Sequence, residues 1–356
     1  MSKKLIIIGN GLGMALDPNH FLLTNAMTRV WESGALTNEA KDLIGALKGI
    51  EPETGPRSET DLISTQIALS LLTDFRSRLG ADALETWFTD TAKTFPLTLR
   101  KYVFEVAFDL YNYGIPDDKL GQWAEFTQSF IRFIMETKSH VATLNYDDLI
   151  YEKIVEGVCV DGEWLVPSRR QGVNGPATSK DGFISGEFRA ECFDWGGDCG
   201  FYLHLHGTPL FATKDERNIK LGRNEVEFKN ENRRRHIVLA NPKDKRDIID
   251  QSEILKNFWD VQLPRCIREA EEIIVFGYSG LDDHLNELLK ESDKKKWVIE
   301  WSGSKHYSKD SGVLEGEEID ATTFWKDAVG DNCEVKPLGN ILDFKEWDNP
   351  DDWPPF

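Results

Sequence analysis

Five cysteines in 356 residues, none in a C-x-x-C pair, leave this chain without a disulfide framework or a zinc-binding pattern. Cys159, Cys192, Cys199, Cys266 and Cys333 read as thiols. No apolar run approaches the ~18 residues of a membrane span. Residues 1–4 are basic, but the apolar run at 5–8 is too short for a signal-peptide core and lacks a small-residue cleavage site. A cytoplasmic protein is therefore expected. Positive charge is scarce as well. Lys and Arg number 42 against 61 Asp and Glu, a formal net charge of −19. General binding to nucleic acid or to an anionic membrane is not expected of such a chain. The compact arginine run at 233–235 reads as a solvated loop. Internal repeats and low-complexity tracts are missing too.

What is present is an ordinary globular composition, 40% hydrophobic and 29% charged, with enough length for about two domains. Residues 5–8, LIII, read as a strand buried on both faces, followed at once by Gly9-Asn10-Gly11-Leu12-Gly13. This G-x-G-x-G spacing is not the G-x-G-x-x-G dinucleotide fingerprint, so a nucleotide loop and a plain tight turn both remain open. Residues 25–138 are mostly helical in pattern. Apolar stripes predict helices over 62–79, 97–113 and 120–136, with their aromatics read as core. This stretch is expected to be a helical insertion or lid.

From residue 139 the pattern alternates between strands and helices. Strands are expected at 141–144, 201–205, 236–239, 273–276, 297–301 and 333–337, with helices at 149–155, 281–290 and 322–329. The polar stretches 167–200 and 209–235 are expected to be surface excursions. The fold expected is α/β, a Rossmann-like doubly wound, mostly parallel sheet. Residues 1–24 and 139–345 form its nucleotide-binding domain, 25–138 the insertion, and 346–356 a loosely held tail.

Four predicted strand exits carry polar or glycine-rich groups: Gly9 to Gly13, Asn145 to Asp147, His206-Gly207, and Gly277 to Ser279. A parallel sheet brings such exits to one edge. The ordered set GNGLG, TLNYDD, LHLHG and FGYSGLDD resembles the SIR2-like family, in its bacterial branch related to sirtuins and to antiphage NAD-degrading effectors. The match rests on Thr143, Asn145, Tyr146 and Asp147, on His206 and Gly207, and on Gly277, Tyr278, Ser279 and Asp282. It covers the first strand and residues 139–302. The cysteine-ligated zinc module of sirtuin deacylases has no counterpart here, so protein deacylation is not expected. Glu300-Trp301-Ser302-Gly303 stands where many relatives have an asparagine, which leaves the preferred nucleotide open.

The resemblance implies an NAD glycohydrolase that yields nicotinamide and ADP-ribose, with a role in antiphage defence. NAD is then the substrate, and no metal or further cofactor is expected. Nicotinamide leaves a cationic pyridinium as a neutral molecule, so the protein has to stabilise an oxocarbenium-like ribose and direct water. Asn145 can position ribose hydroxyls or the water, and His206 can take a proton. Gly9, Asn10, Gly11, Leu12 and Gly13 would hold the diphosphate through backbone N–H groups. Ser279 would sit by the adenosine half, and Thr143, Tyr146, Asp147, Gly277, Tyr278 and Asp282 complete the binding set. Plainer readings stand beside these. Asn145 can be a turn residue, and His206 a satisfied turn histidine. His204, two residues earlier on the same strand face, is the rival for the catalytic role. The remaining histidines read as structural. Two other functions fit the same site: a non-catalytic NAD or ADP-ribose sensor, and an ADP-ribosyl transferase or cyclase. A homo-oligomer or a regulatory partner protein is compatible with the chain.

Overall fold

The computed structural model describes residues 2–47, 49–62, 90–156, 158–160, 163–166, 179–195, 199–226, 234–240, 245–307 and 318–350. The helix expected over 62–79 lies outside these residues apart from Leu62, as do residues 167–178 and 196–198 of the excursion expected over 167–200. Its described part is not only an excursion, since Ser179–Lys180, Phe183–Ile184 and Glu187–Phe188 are strands.

Seven strands form the central sheet: β1 (Lys4–Ile8), β2 (His140–Thr143), β3 (Ser179–Lys180), β4 (Gly200–His204), β5 (Glu272–Phe276), β6 (Lys295–Trp301) and β7 (Cys333–Leu338). Their order is β7-β6-β5-β1-β2-β4-β3, and every pairing is parallel. The strands of such a sheet are covered on both faces, so the uninterrupted LIII and IIVF runs become its centre. Leu5, Ile6 and Ile7 are fully buried between β2 and β5. The chain runs outward from β1 on one side, then returns to β5 on the other. That reversal leaves a crevice at the carboxyl ends of β1 and β5, the place where doubly wound sheets bind ligands.

Helix α1 (Gly11–Leu16) follows β1, and α2 (Leu23–Glu32) packs against α3 (Asp90–Tyr111). Their contact includes an Arg29–Asp109 ion pair at 2.5 Å and Trp31 edge-on to Tyr102. Helix α4 (Leu120–Thr137) ends at Lys138, which takes the left-handed conformation that closes many helices. The sequence assigns α4 to the insertion. Its apolar stripe packs on the central sheet instead, with Phe126 5.5 Å from Phe276. It is the crossover helix leading to β2. Helix α5 (Leu149–Glu156) follows β2, α6 (Asp283–Glu291) follows β5, and α7 (Ala321–Val329) precedes β7.

Two expectations are corrected. Residues 209–235 are not only an excursion. Gly207–Lys214, Arg217–Lys220 and Arg234–Ile237 join Phe183–Ile184 and Glu187–Phe188 in a five-stranded antiparallel sheet. Its hairpin turns at Asp215 and Glu216, both at positive φ (49° and 62°), a pair without the Asn-Gly signal of such turns. Pro209 lies where the pairing with Arg234–Ile237 slips register, so its missing N–H does not break the ladder. The tail, too, is firmly held up to residue 350. Trp347 is 2% exposed and packs on Phe126, Phe130, Phe276 and Phe344. Lys4 Nζ reaches the Asp348 carbonyl at 2.5 Å. Trp347→Ala is therefore expected to cost about 3–5 kcal/mol of stability in a denaturant titration. A cost below about 1 kcal/mol would contradict this packing.

Candidate active site

The glycines after β1 are there to let two loops touch. The turn is only Gly9-Asn10, since the chain is helical from Gly11. A Cβ on Gly9 would come within 2.5 Å of Tyr278 Cα, and one on Gly11 within 2.6 Å of the Gly277 carbonyl. A Cβ on Gly13 would run into the Phe21 ring at 2.5 Å. The amides are engaged as well. Gly9 N donates to the Phe276 carbonyl (2.9 Å), Gly11 N to that of Gly277 (2.7 Å) and Leu12 N to that of Gly9 (3.2 Å). Of the five amides expected to face a phosphate, those of Gly9, Gly11 and Leu12 are thus already engaged within the protein, and the first two lock the β1 exit onto the β5 exit. Gly277 completes the contact at φ 59°, a conformation open to glycine at little cost.

Asn145 leaves β2 directly above this lock. Its backbone N–H donates to Thr143 Oγ1 at 3.1 Å, and its Nδ2 donates to the Gly9 carbonyl at 3.2 Å. A carbonyl can only accept, which fixes the amide orientation. Asn145 Oδ1 then has no hydrogen-bond partner among the described residues, although the side chain is only 5% exposed. A buried acceptor left in this state costs about 1–3 kcal/mol unless a ligand or water donates to it. The Tyr146 hydroxyl is spent on the Val238 carbonyl at 2.5 Å. Asp147 Oδ1 accepts the Leu149 N–H at the start of α5. Burial pushes the Asp147 carboxyl up to about 7, against the pull of that N–H.

His206 arrives from β4 just before Gly207. Gly207 has φ 76°, and a Cβ there would meet the His236 carbonyl at 1.8 Å. The chain thereby turns from the parallel sheet into the antiparallel one, and His206 parts from its rival. His204 is fully buried among Tyr151, Tyr202 and Phe211 and does not reach the cavity. His206 Nε2 lies 3.0 Å from Asp282 Oδ2. Asp282 caps α6, its Oδ1 accepting from Leu285 N, while its own N–H donates to the Tyr278 hydroxyl at 2.7 Å. Burial works to raise the Asp282 carboxyl, but His206, Lys245 and the Leu285 N–H together hold it well below the usual carboxylate range. Burial, then Lys245, lowers His206, with Asp282 opposing. An ionised carboxylate can only accept, so His206 Nε2 carries the proton and Nδ1 is left as the basic atom.

These groups share one cavity of about 890 Å³ at the carboxyl ends of β1, β2, β4, β5 and β6. Gly9, Asn10, Gly11, Asn145, Tyr146, Asp147, His206, Gly277, Tyr278, Ser279 and Asp282 line it; Leu12, Gly13 and Thr143 do not. Thr143 acts one step back, by holding the Asn145 backbone. The facing wall is apolar, built from Met14, Pro18, Phe21, Leu22, Leu23 and Leu110. Leu281 and Trp301 on the wall are 60% and 59% exposed. Lys245 and Glu59, which the sequence does not single out, also line the cavity, as does Glu300, which stands where many relatives of the resembled family have an asparagine. The first two stand in polar stretches where nothing distinguishes them from solvated charges. Glu300 is held by His306 Nε2 at 3.0 Å and Trp325 Nε1 at 2.8 Å. Among the described residues no group of three His, Cys, Asp or Glu side chains is arranged to hold a metal ion, and no helix is long and apolar enough to cross a membrane.

Burial of histidines also sets a pH dependence. Burial, the largest influence on each, lowers His140 to about 4 and His204 and His236 to about 3. In the unfolded chain they titrate near 6.5. Between those values the unfolded state binds protons that the folded state refuses, so stability falls as pH falls. Burial lowers His20 and His206 as well, while Asp147, Asp148 and Glu105 are raised and act in the opposite sense, three carboxyls against five histidines. A net loss on the order of 2–3 kcal/mol per pH unit below about pH 6 is expected in urea titrations. Equal stability at pH 7.5 and pH 5 would contradict it.

No protein-family model matches this chain, and no curated protein matches it significantly.

Proposed function

We propose that this protein is an NAD glycohydrolase, releasing nicotinamide and ADP-ribose from the cavity at the crevice between β1 and β5. The observation that carries the reading is that Asn145, whose buried Oδ1 has no partner among the described residues, and the His206–Asp282 dyad line the same cavity. Asn145 Oδ1 accepts from a ribose hydroxyl or from the attacking water. As the C1′–N bond breaks, its electron pair goes to the pyridinium nitrogen and neutral nicotinamide departs. Water oxygen bonds to C1′, and the water proton passes to His206 Nδ1. Asp282 holds the imidazolium that forms, and the nearby carboxylates favour the positive charge developing on the ribose. A dyad poised to take a proton favours an enzyme over a sensor, because binding alone has no use for one. An antiphage role follows from the sequence resemblance and is part of the same proposal.

The test is product analysis. NAD and NADP are each incubated with the protein and the products are separated by chromatography. Equal amounts of nicotinamide and ADP-ribose support hydrolysis. A cyclic product, or ADP-ribose attached to an acceptor, would move the reading to cyclase or transferase. Saturable binding without any product would make the protein a sensor.

A further inference from the structure

Asp282 Oδ2 serves two donors. His206 Nε2 lies 3.0 Å from it and Lys245 Nζ 3.3 Å. Glu59 Oε2 faces the same ammonium from 3.6 Å, on a different chain segment. Lys245 is 5% exposed, and among the described residues it is the one Lys or Arg on the cavity wall. Burying an ammonium costs several kcal/mol unless charges of opposite sign compensate, and here two carboxylates do so. The groups beside His206, in contact with its ring or acting on it through charge, can be named element by element. Asp282 comes from the loop before α6, Lys245 from helix Lys245–Asp250, Glu59 from segment 49–62, and Tyr146 from the exit of β2, its ring 6.4 Å away. The Tyr146 phenol is kept neutral by burial. The balance at the ring is thus two carboxylates against one ammonium.

We infer that Lys245 is a positioning residue which, set between Glu59 and Asp282, keeps His206 in its uncharged, proton-accepting form while leaving the His206–Asp282 bond intact. Without the ammonium, both carboxylates act on the ring unopposed and the imidazole takes a proton at higher pH. Without Glu59, the ammonium acts more strongly and the ring stays neutral to lower pH. The two changes therefore move His206 in opposite directions, which a merely structural role for Lys245 would not produce. Only the kinetic consequence rests on the hydrolase reading.

The experiment is an NMR titration of the His206 ring in the full chain, with the resonance assigned by its disappearance in His206→Gln. Lys245→Met is expected to raise the midpoint by about one pH unit, Glu59→Gln to lower it by about half a unit, and Lys245→Arg to leave it within about 0.3 unit. The acid limb of kcat/KM for NAD is expected to move with the same signs, with KM changed less than about threefold. Unmoved midpoints, or shifts of the same sign in Lys245→Met and Glu59→Gln, would overturn the inference. So would a large rise in KM with a fixed acid limb, which would make Lys245 a contact to the diphosphate. Should Lys245→Met fail to fold, Glu59→Gln and Lys245→Arg still decide it. The titration needs no turnover, so absence of hydrolysis would count against the proposed function and not against this balance of charges.

Discussion

His206→Ala is expected to lower nicotinamide release by about 10³-fold while the protein stays folded. The fold survives because among the described residues the imidazole makes one polar contact, to Asp282 Oδ2, and Asp282 keeps Lys245 and the Leu285 N–H after it is gone. Catalysis fails because the base at Nδ1 is gone, and Asp147, the other cavity group that burial brings to about 7, has its Oδ1 engaged by the Leu149 N–H. His204 cannot substitute: it is sealed among aromatic rings, and burial lowers it to about 3. Asp282→Asn is expected to fall between the wild type and His206→Ala, since an amide no longer stabilises the imidazolium that forms. The checks are initial rates of nicotinamide release and circular dichroism on the same samples. Activity in His206→Ala within tenfold of wild type would remove His206 from the chemistry.

Asn145→Ala is expected to cost about 10²–10³ in kcat, because it removes a fixed acceptor from the reacting centre. Its structural cost is small by comparison. The Nδ2 bond to the Gly9 carbonyl contributes about 1 kcal/mol, and Gly9 remains tied to Phe276. Removing the unpartnered Oδ1 even relieves a buried polar atom. A variant that is nearly as stable as wild type yet nearly inactive is the signature expected of a residue kept for chemistry. Thr143→Val provides a graded control. It deletes only the hydroxyl that accepts the Asn145 N–H, so a loss of roughly tenfold is expected. Loss of activity in proportion to loss of fold across these variants would argue that Asn145 is a turn residue.

The central sheet was legible because its strands are short, continuous apolar runs that end in polar or glycine residues. LIII and IIVF could hardly be anything else, and Gly9, Asn10, Gly11, Gly277, Tyr278 and Ser279 at their exits line one cavity. The antiparallel sheet was hidden by Pro209 and by an Asp215-Glu216 turn that propensity does not announce. The glycine motif was visible, but its purpose was not. That Gly9 and Gly11 admit the Gly277–Tyr278 backbone depends on a contact some 270 residues away in the chain. Lys245 and Glu59 were invisible for a similar reason, because a charge in a polar segment looks solvated until the partner that buries it is known. The tail failed on composition: prolines and acids around Trp347 concealed an anchor set into the face of α4.

The most direct test of the account is nicotinamide release from NAD by the wild type, His206→Ala and Asn145→Ala, with NAD binding followed in the same samples. The account predicts release by the wild type, loss of release in both variants, and NAD affinity in His206→Ala within about fivefold of wild type. Saturable NAD binding by all three proteins with no nicotinamide released by any would contradict it.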